Sequence, residues 1–153
     1  MTLKPVAVVV GATSKWQSDG RNTRLAHGKE ISDEDLPVTV RWGVGGAIAQ
    51  KFAAHGFHVV LTTRQASNAE PLAAAIVAQG HDATVVELDL VSETSIQQAC
   101  QMIRSNLADP DVLVLNAGYL EGRDLPPEME LLEFVPTEIF DTAQHIASRG
   151  PFL

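Results

Sequence analysis

The sequence predicts a doubly wound α/β fold, an incomplete parallel sheet of about four strands with helices on both faces. Three observations carry this. Short β-branched runs occur without polar alternation, which is the pattern of strands covered on both faces. Segments of helical period lie between them. The two kinds alternate strictly, and strand, helix, strand in that order leads to parallel pairing through right-handed crossovers.

Residues 5–10, Pro-Val-Ala-Val-Val-Val, predict the first strand, which ends on Gly11-Ala12-Thr13-Ser14. Residues 15–42 then change character: ten of the 28 are charged, five of each sign, and neither period is sustained. This predicts a loop-like insertion with a short strand at 38–42. Both tryptophans, Trp16 and Trp42, stand at its two ends, where they could pack together and pinch its base. Residues 44–55 place Ala47, Ile48 and Phe52 at helical spacing, and Gly56 is a natural stop. Residues 57–63 predict the second strand, ending at Arg64. A helix follows, capped by Ser67 or Asn68, with Pro71 in its first turn, Leu72 and Ile76 on one face, and Gly80 as its end. The third strand is expected at 83–88. Ser92 caps a further helix whose apolar stripe is Ile96, Cys100, Ile103 and Leu107, ended by Asp109-Pro110. Residues 112–115 predict a fourth buried strand, closing on Asn116-Ala117-Gly118. A polar loop to about residue 128 leads into helical spacing through Leu131, Ile139, Phe140, Ala143 and Ile146, up to Gly150.

The glycines organise the chain. Without residues 15–42, Gly11-Ala12-Thr13-Ser14 runs directly into Gly43-Val44-Gly45 and reads Gly-x-x-x-Gly-x-Gly. Between a buried strand and a helix, this spacing turns backbone amides and a helix N-terminus toward a pyrophosphate. Closing a 28-residue loop costs roughly 3 kcal/mol by the logarithmic scaling, which a domain can bear. The phosphate turn itself requires Gly11 and Gly43 to come together. At the end of the second strand a carboxylate would bind a ribose, whereas a cation suits a 2'-phosphate. The chain has Thr62-Thr63-Arg64 there, which points to NADP(H) over NAD(H), with NAD remaining possible. Asp89 lies where the sheet edge would meet an adenine, and it equally suits a turn approaching a helix. Asn116-Ala117-Gly118 ends a strand at the same edge, with small residues that admit a ligand to the backbone.

Composition narrows the partners. A net charge of −8 without a basic cluster argues against nucleic acid and against an anionic membrane surface. No apolar run approaches the ~18 residues of a membrane span, so the default expectation is a cytoplasmic protein. The single cysteine, Cys100, excludes an internal disulfide and is expected to pack in the core. His27, His55, His58, His81 and His145 show no metal-ligand spacing and are expected at the surface or its boundary.

Taken together, Gly11 to Ser14, Gly43 to Gly45, Asp89 and Asn116-Ala117-Gly118 resemble the short-chain dehydrogenase/reductase family in order and, without the insertion, in spacing. The resemblance covers residues 5–153 apart from 15–42. It implies a Rossmann-type domain, NAD(P)-dependent hydride transfer at a carbonyl or alcohol, and a dimer or tetramer. By that resemblance Gly11, Ser14, Gly43, Val44 and Gly45 hold the phosphates. Arg64 reads the 2'-phosphate, Asp89 faces the adenine, and Asn116, Ala117 and Gly118 line the cofactor.

The departures concern catalysis. The family uses a Tyr-x-x-x-Lys pair and a serine; here the single tyrosine is Tyr119 and the last lysine is Lys51, so no such pair exists in these residues. Three residues before Gly150-Pro151-Phe152, where the family places an asparagine, stands Ala147. No catalytic residue is assigned. The expectation is one partial cofactor-binding domain over residues 1–153, unable to catalyse alone, with the fourth strand as an open apolar edge able to pair with a second copy or another chain. The insertion and the end at Leu153 fit a coding sequence that kept an unspliced segment and lost its continuation. A non-catalytic nucleotide-binding or scaffold module and an inert fragment are the alternatives.

Overall fold

The computed structural model describes residues 4–12, 42–118 and 136–153. Ser14, Trp16, Tyr119, Leu131, most of the insertion and the loop after Gly118 lie outside them. Four parallel strands, β1 (Val6–Val10), β2 (His58–Thr63), β3 (Asp82–Glu87) and β4 (Val112–Leu115), form one sheet in the order β3-β2-β1-β4. Between them run α1 (Gly43–Ala54), α2 (Glu70–Ala78) and α3 (Glu93–Asn106). Beyond residue 136, α4 (Thr137–Gln144) passes through a π-turn at His145–Arg149 into α5 (Gly150–Phe152). Among the described residues no helix is long and apolar enough to cross a membrane.

Successive side chains of a strand point to opposite faces, so the valine runs feed two cores at once. On one face Val9, Val59 and Leu61 meet Ala49 and Ala53 of α1 and Leu72 and Ile76 of α2. On the other, Val6, Val8, Val10, Val60 and Val86 meet Ala99 and Ile103 of α3, with Ile146 packed alongside. Helices on both faces of a parallel sheet make the fold doubly wound, as the sequence predicts. Phe52 and Phe57 close the α1 to β2 turn edge to face, with ring centroids 5.1 Å apart.

Several local expectations are corrected. Trp42 is not the end of a strand: it sits in a turn with helix-like dihedrals (φ −84°, ψ −7°) as the N-cap of α1, and is buried. The N-cap of α2 is Ala69, without a side-chain cap, because residues 66–68 form a separate 3-10 turn that displaces Ser67 and Asn68 from the cap position. Ser92 does cap α3, its Oγ accepting from Ser95 N at 3.2 Å. The buried line of α3 is Ile96, Ala99 and Ile103, so Cys100 falls one step outside it and is exposed. Gly150 does not stop the last helix. It opens α5 in helical conformation, where a Cβ would lie only 2.6 Å from the carbonyl oxygen of Leu90. β4 is the open edge strand expected, but it is not buried: Leu113 and Leu115 are exposed.

Candidate functional site

The site grows from the ends of three elements. β1 terminates at Gly11, whose φ of +82° is costly for any residue with a Cβ. There the chain swings toward β2, and the N–H groups of Gly11 and Ala12 both donate to the carbonyl of Thr62, at 3.1 and 3.2 Å. Thr62 itself is buried, with its hydroxyl 3.4 Å from the carbonyl oxygen of Val9. The carboxyl end of β4 arrives from the other side. Asn116 N donates to Val10 O at 2.9 Å, and its Nδ2 donates to Gly11 O at 3.1 Å.

The start of α1 fits into this corner because Gly45 has no side chain. A Cβ on Gly45 would collide with the Gly11 carbonyl oxygen and lie 2.7 Å from Asn116 Nδ2 and 3.2 Å from Ala12 Cα. A Cβ on Gly11 would lie 2.8 Å from both Cα and N of Ala117. The structure therefore brings Gly11, Gly45, Asn116 and Ala117 into direct contact across 105 residues of sequence. Gly11 and Gly45 thus approach each other although residues 13–41 lie between them in sequence.

Gly43 and Val44 form the exposed lip of α1, and Gly43 takes a φ of +65° with nothing near the position of a Cβ. Trp42 provides no side-chain cap, and the first turn of α1 holds no acidic residue. Its leading N–H groups thus carry the partial positive charge of a helix start without an internal carboxylate to answer it. Gly118 is exposed, with open space around it.

In the order β3-β2-β1-β4, the crossovers change direction between β1 and β4, and the crevice outside the carboxyl ends at such a switch point is where open α/β sheets bind ligands. Gly11 and Asn116 flank that point. Arg64 follows β2 on the same edge; it is exposed and has no ion-pair partner among the described residues. Asp89 follows β3, farther along the edge. It is half-buried and shapes its own turn, Oδ1 accepting from Val91 N at 3.0 Å while its N–H donates to Ser95 Oγ at 3.0 Å. The turn role anticipated for Asp89 is thus present.

Sequence reasoning did not single out Thr62, whose carbonyl holds the turn, or the amide of Asn116 as a strut. A polar pair, Thr62-Thr63, closing an otherwise apolar strand was the available signal. Among the described residues, the titratable groups displaced from their ordinary behaviour lie at the opposite, amino end of the sheet. Burial lowers the pKa of His58, with Lys4 acting in the same sense and Asp82 against it. The Lys4 ammonium, 2.6 Å from Asp82 Oδ2, holds that carboxyl below its usual range. A groove of about 500 Å³ runs along α4 and the π-turn, lined by Asp141, Gln144, His145, Ser148, Arg149 and Phe152, none of them a residue of the glycine turn. Among the described residues no cluster of His, Cys, Asp or Glu could hold a metal ion.

A glycine turn packed against a helix start at the switch point of a doubly wound sheet defines a Rossmann-type domain. Residues 38–153 match the family model described as Enoyl-(Acyl carrier protein) reductase, and the chain belongs to the short-chain dehydrogenase/reductase family. It is 35% identical over 96 residues to a WW domain-containing oxidoreductase of Danio rerio, covering 61% of this chain and 23% of that protein. It is 38% identical over 76 residues to a fatty acyl-CoA reductase of Acinetobacter baylyi, covering 50% and 26%. A metagenomic short-chain oxidoreductase, solved in complex with NADP, superposes with a TM-score of 0.67 at 25% identity, over 98% of this chain and 53% of that one. The chain thus spans about a quarter of these two curated relatives and about half of the solved one.

Proposed function

We propose that these residues form the NADP(H)-binding part of a short-chain oxidoreductase. The observation that carries the reading is the uncapped, acid-free start of α1 seated by Gly45 on the Gly11 carbonyl. An anionic pyrophosphate is the complement of that helix end. In this reading Gly11, Ser14, Gly43, Val44 and Gly45 surround the phosphates, and Arg64 meets the 2'-phosphate. Asp89 faces the adenine side, and Asn116, Ala117 and Gly118 line the floor. Two facts support NADP over NAD: β2 ends in Arg64 with no acid, and the solved relative holds NADP. When bound, the nicotinamide would supply hydride chemistry. Asn116 would keep the turn in shape from beneath, and Thr62 would fix the direction in which the chain leaves β1.

Reduction of a carbonyl also needs a proton delivered to its oxygen, and a positioned acid contributes roughly 10²- to 10⁴-fold. These 153 residues contain no Tyr-x-x-x-Lys pair, and Ala147 replaces the asparagine of the family pattern. The chain as given therefore binds the dinucleotide without turning over substrate. Titration of the purified chain with NADPH, followed by nicotinamide fluorescence, is expected to saturate, more weakly in Arg64→Ala. No binding at millimolar NADPH refutes the cofactor reading, and NADPH consumption with any carbonyl substrate refutes the catalytic one. The exposed Leu113 and Leu115 on the β4 edge favour a second reading, a nucleotide-binding module that pairs with another chain. Sedimentation of the chain as a monomer at all concentrations would exclude self-pairing as a form of it.

A further inference from the structure

The strand beside Arg64 carries a group that the cofactor reading has not used. Thr63 and Glu87 are register partners at the ends of β2 and β3, and the ladder continues one step further with Leu88 N donating to Thr63 O at 2.8 Å. Beyond Thr63 the chain leaves the sheet: Gln65 is extended, and residues 66–68 form the 3-10 turn. The first N–H of that turn belongs to Ala66, and Gln65 offers it no side-chain cap. Glu87 supplies one from the neighbouring strand, its Oε1 accepting from Ala66 N at 2.9 Å.

We infer that Glu87 is a positioning residue for dinucleotide selection, acting through the backbone that carries Arg64. This rests on the assignment of Arg64 to the 2'-phosphate. Arg64 and Gln65 are the only residues between the last ladder position of β2 and the Ala66 anchor, so the path available to the Arg64 backbone is short and tied at both ends. The same bond occupies one oxygen of the carboxylate that lies opposite Thr63, the residue before Arg64. Arg64 forms no ion pair among the described residues, which leaves its charge for a ligand. The 2'-phosphate is what distinguishes NADPH from NADH, so loss of the anchor weakens NADPH and spares NADH.

The test compares NADPH and NADH dissociation constants in the parent chain, Glu87→Ala, Glu87→Gln and Arg64→Ala, with unfolding midpoints measured in parallel. The expected result is a fall of about five-fold in the preference for NADPH in Glu87→Ala, in proportion to one lost hydrogen bond, with NADH affinity unchanged. Glu87→Gln, which keeps an acceptor oxygen, restores most of the preference. A merely structural role would weaken both nucleotides together. If Arg64→Ala abolishes the preference while Glu87→Ala leaves it intact, or if Glu87→Ala weakens NADH equally, the role of Glu87 is overturned and the cofactor reading stands. If the parent chain shows no preference, or binds neither nucleotide, both are overturned.

Discussion

Replacing Gly45 by alanine sets two well-separated effects against each other. In an unobstructed helix the change would gain about 1 kcal/mol, because alanine is the better helix former. Here the new methyl would strike the carbonyl oxygen of Gly11 and sit 2.7 Å from Asn116 Nδ2, well inside the 3.4 Å at which ordinary contact begins. A third neighbour, Ala12 Cα at 3.2 Å, is backbone, as is the Gly11 oxygen, and neither can rotate away. Either α1 retreats from the turn or Asn116 releases Gly11 O. Overpacking of this kind costs roughly 1 to 3 kcal/mol, so a net loss of about 1 kcal/mol is expected in the urea midpoint. NADPH affinity is expected to fall at least about ten-fold, because the helix start no longer faces the same point. Gly80→Ala is the control. Unlike Gly45 it has a positive φ, of +83°, so alanine is strained there for a different reason; nothing lies near its Cβ position, and it sits in the α2 to β3 turn. It is expected to lose stability without losing nucleotide affinity. A Gly45→Ala chain that gains stability and binds NADPH as well as the parent would refute the packing account.

Ser92→Ala removes the cap of α3 and is expected to cost about 1 kcal/mol in denaturant unfolding, while Ser67→Ala, outside any cap, costs little. Stability also depends on pH through His58. Its folded pKa lies below the ordinary 6.5, so between those values the unfolded chain binds more protons. Stability is therefore full above about pH 6.5 and falls as pH drops toward the folded value; His58→Gln, measured by urea midpoint from pH 7.5 to 5.5, should flatten that slope. An unchanged slope would place its origin in other groups.

The four strands were legible because β-branched runs without alternation mean burial on two faces, and each begins within a residue of its expected start. The glycine turn was legible because only glycine spacing of that kind admits such close approach. What escaped is set by contacts distant in sequence. Cys100 and Ala99 both lie near the apolar stripe of α3, and its docking against β1 and β3 decides which of them is covered. Gly150 reads as a helix stop until Leu90, 60 positions away, is seen to need the space. The amide of Asn116 looked like one small polar residue at a strand end. Its role as a strut to Gly11 exists only once β4 lies beside β1.

Ala12 and Trp42 are both buried, and both belong to the core shared by α1 and α2. They act as two gateposts: the described chain stops at one and resumes at the other, both in the same core, and Gly45 closes on Ala12. Loop length enters the free energy only logarithmically, about 0.6 kcal/mol for each doubling. This position is therefore a natural insertion port. A foreign peptide or reporter exchanged for residues 15–41 would inherit fixed attachment points beside the crevice at the carboxyl ends of β1 and β4, and the length of the exchange would be nearly free to choose.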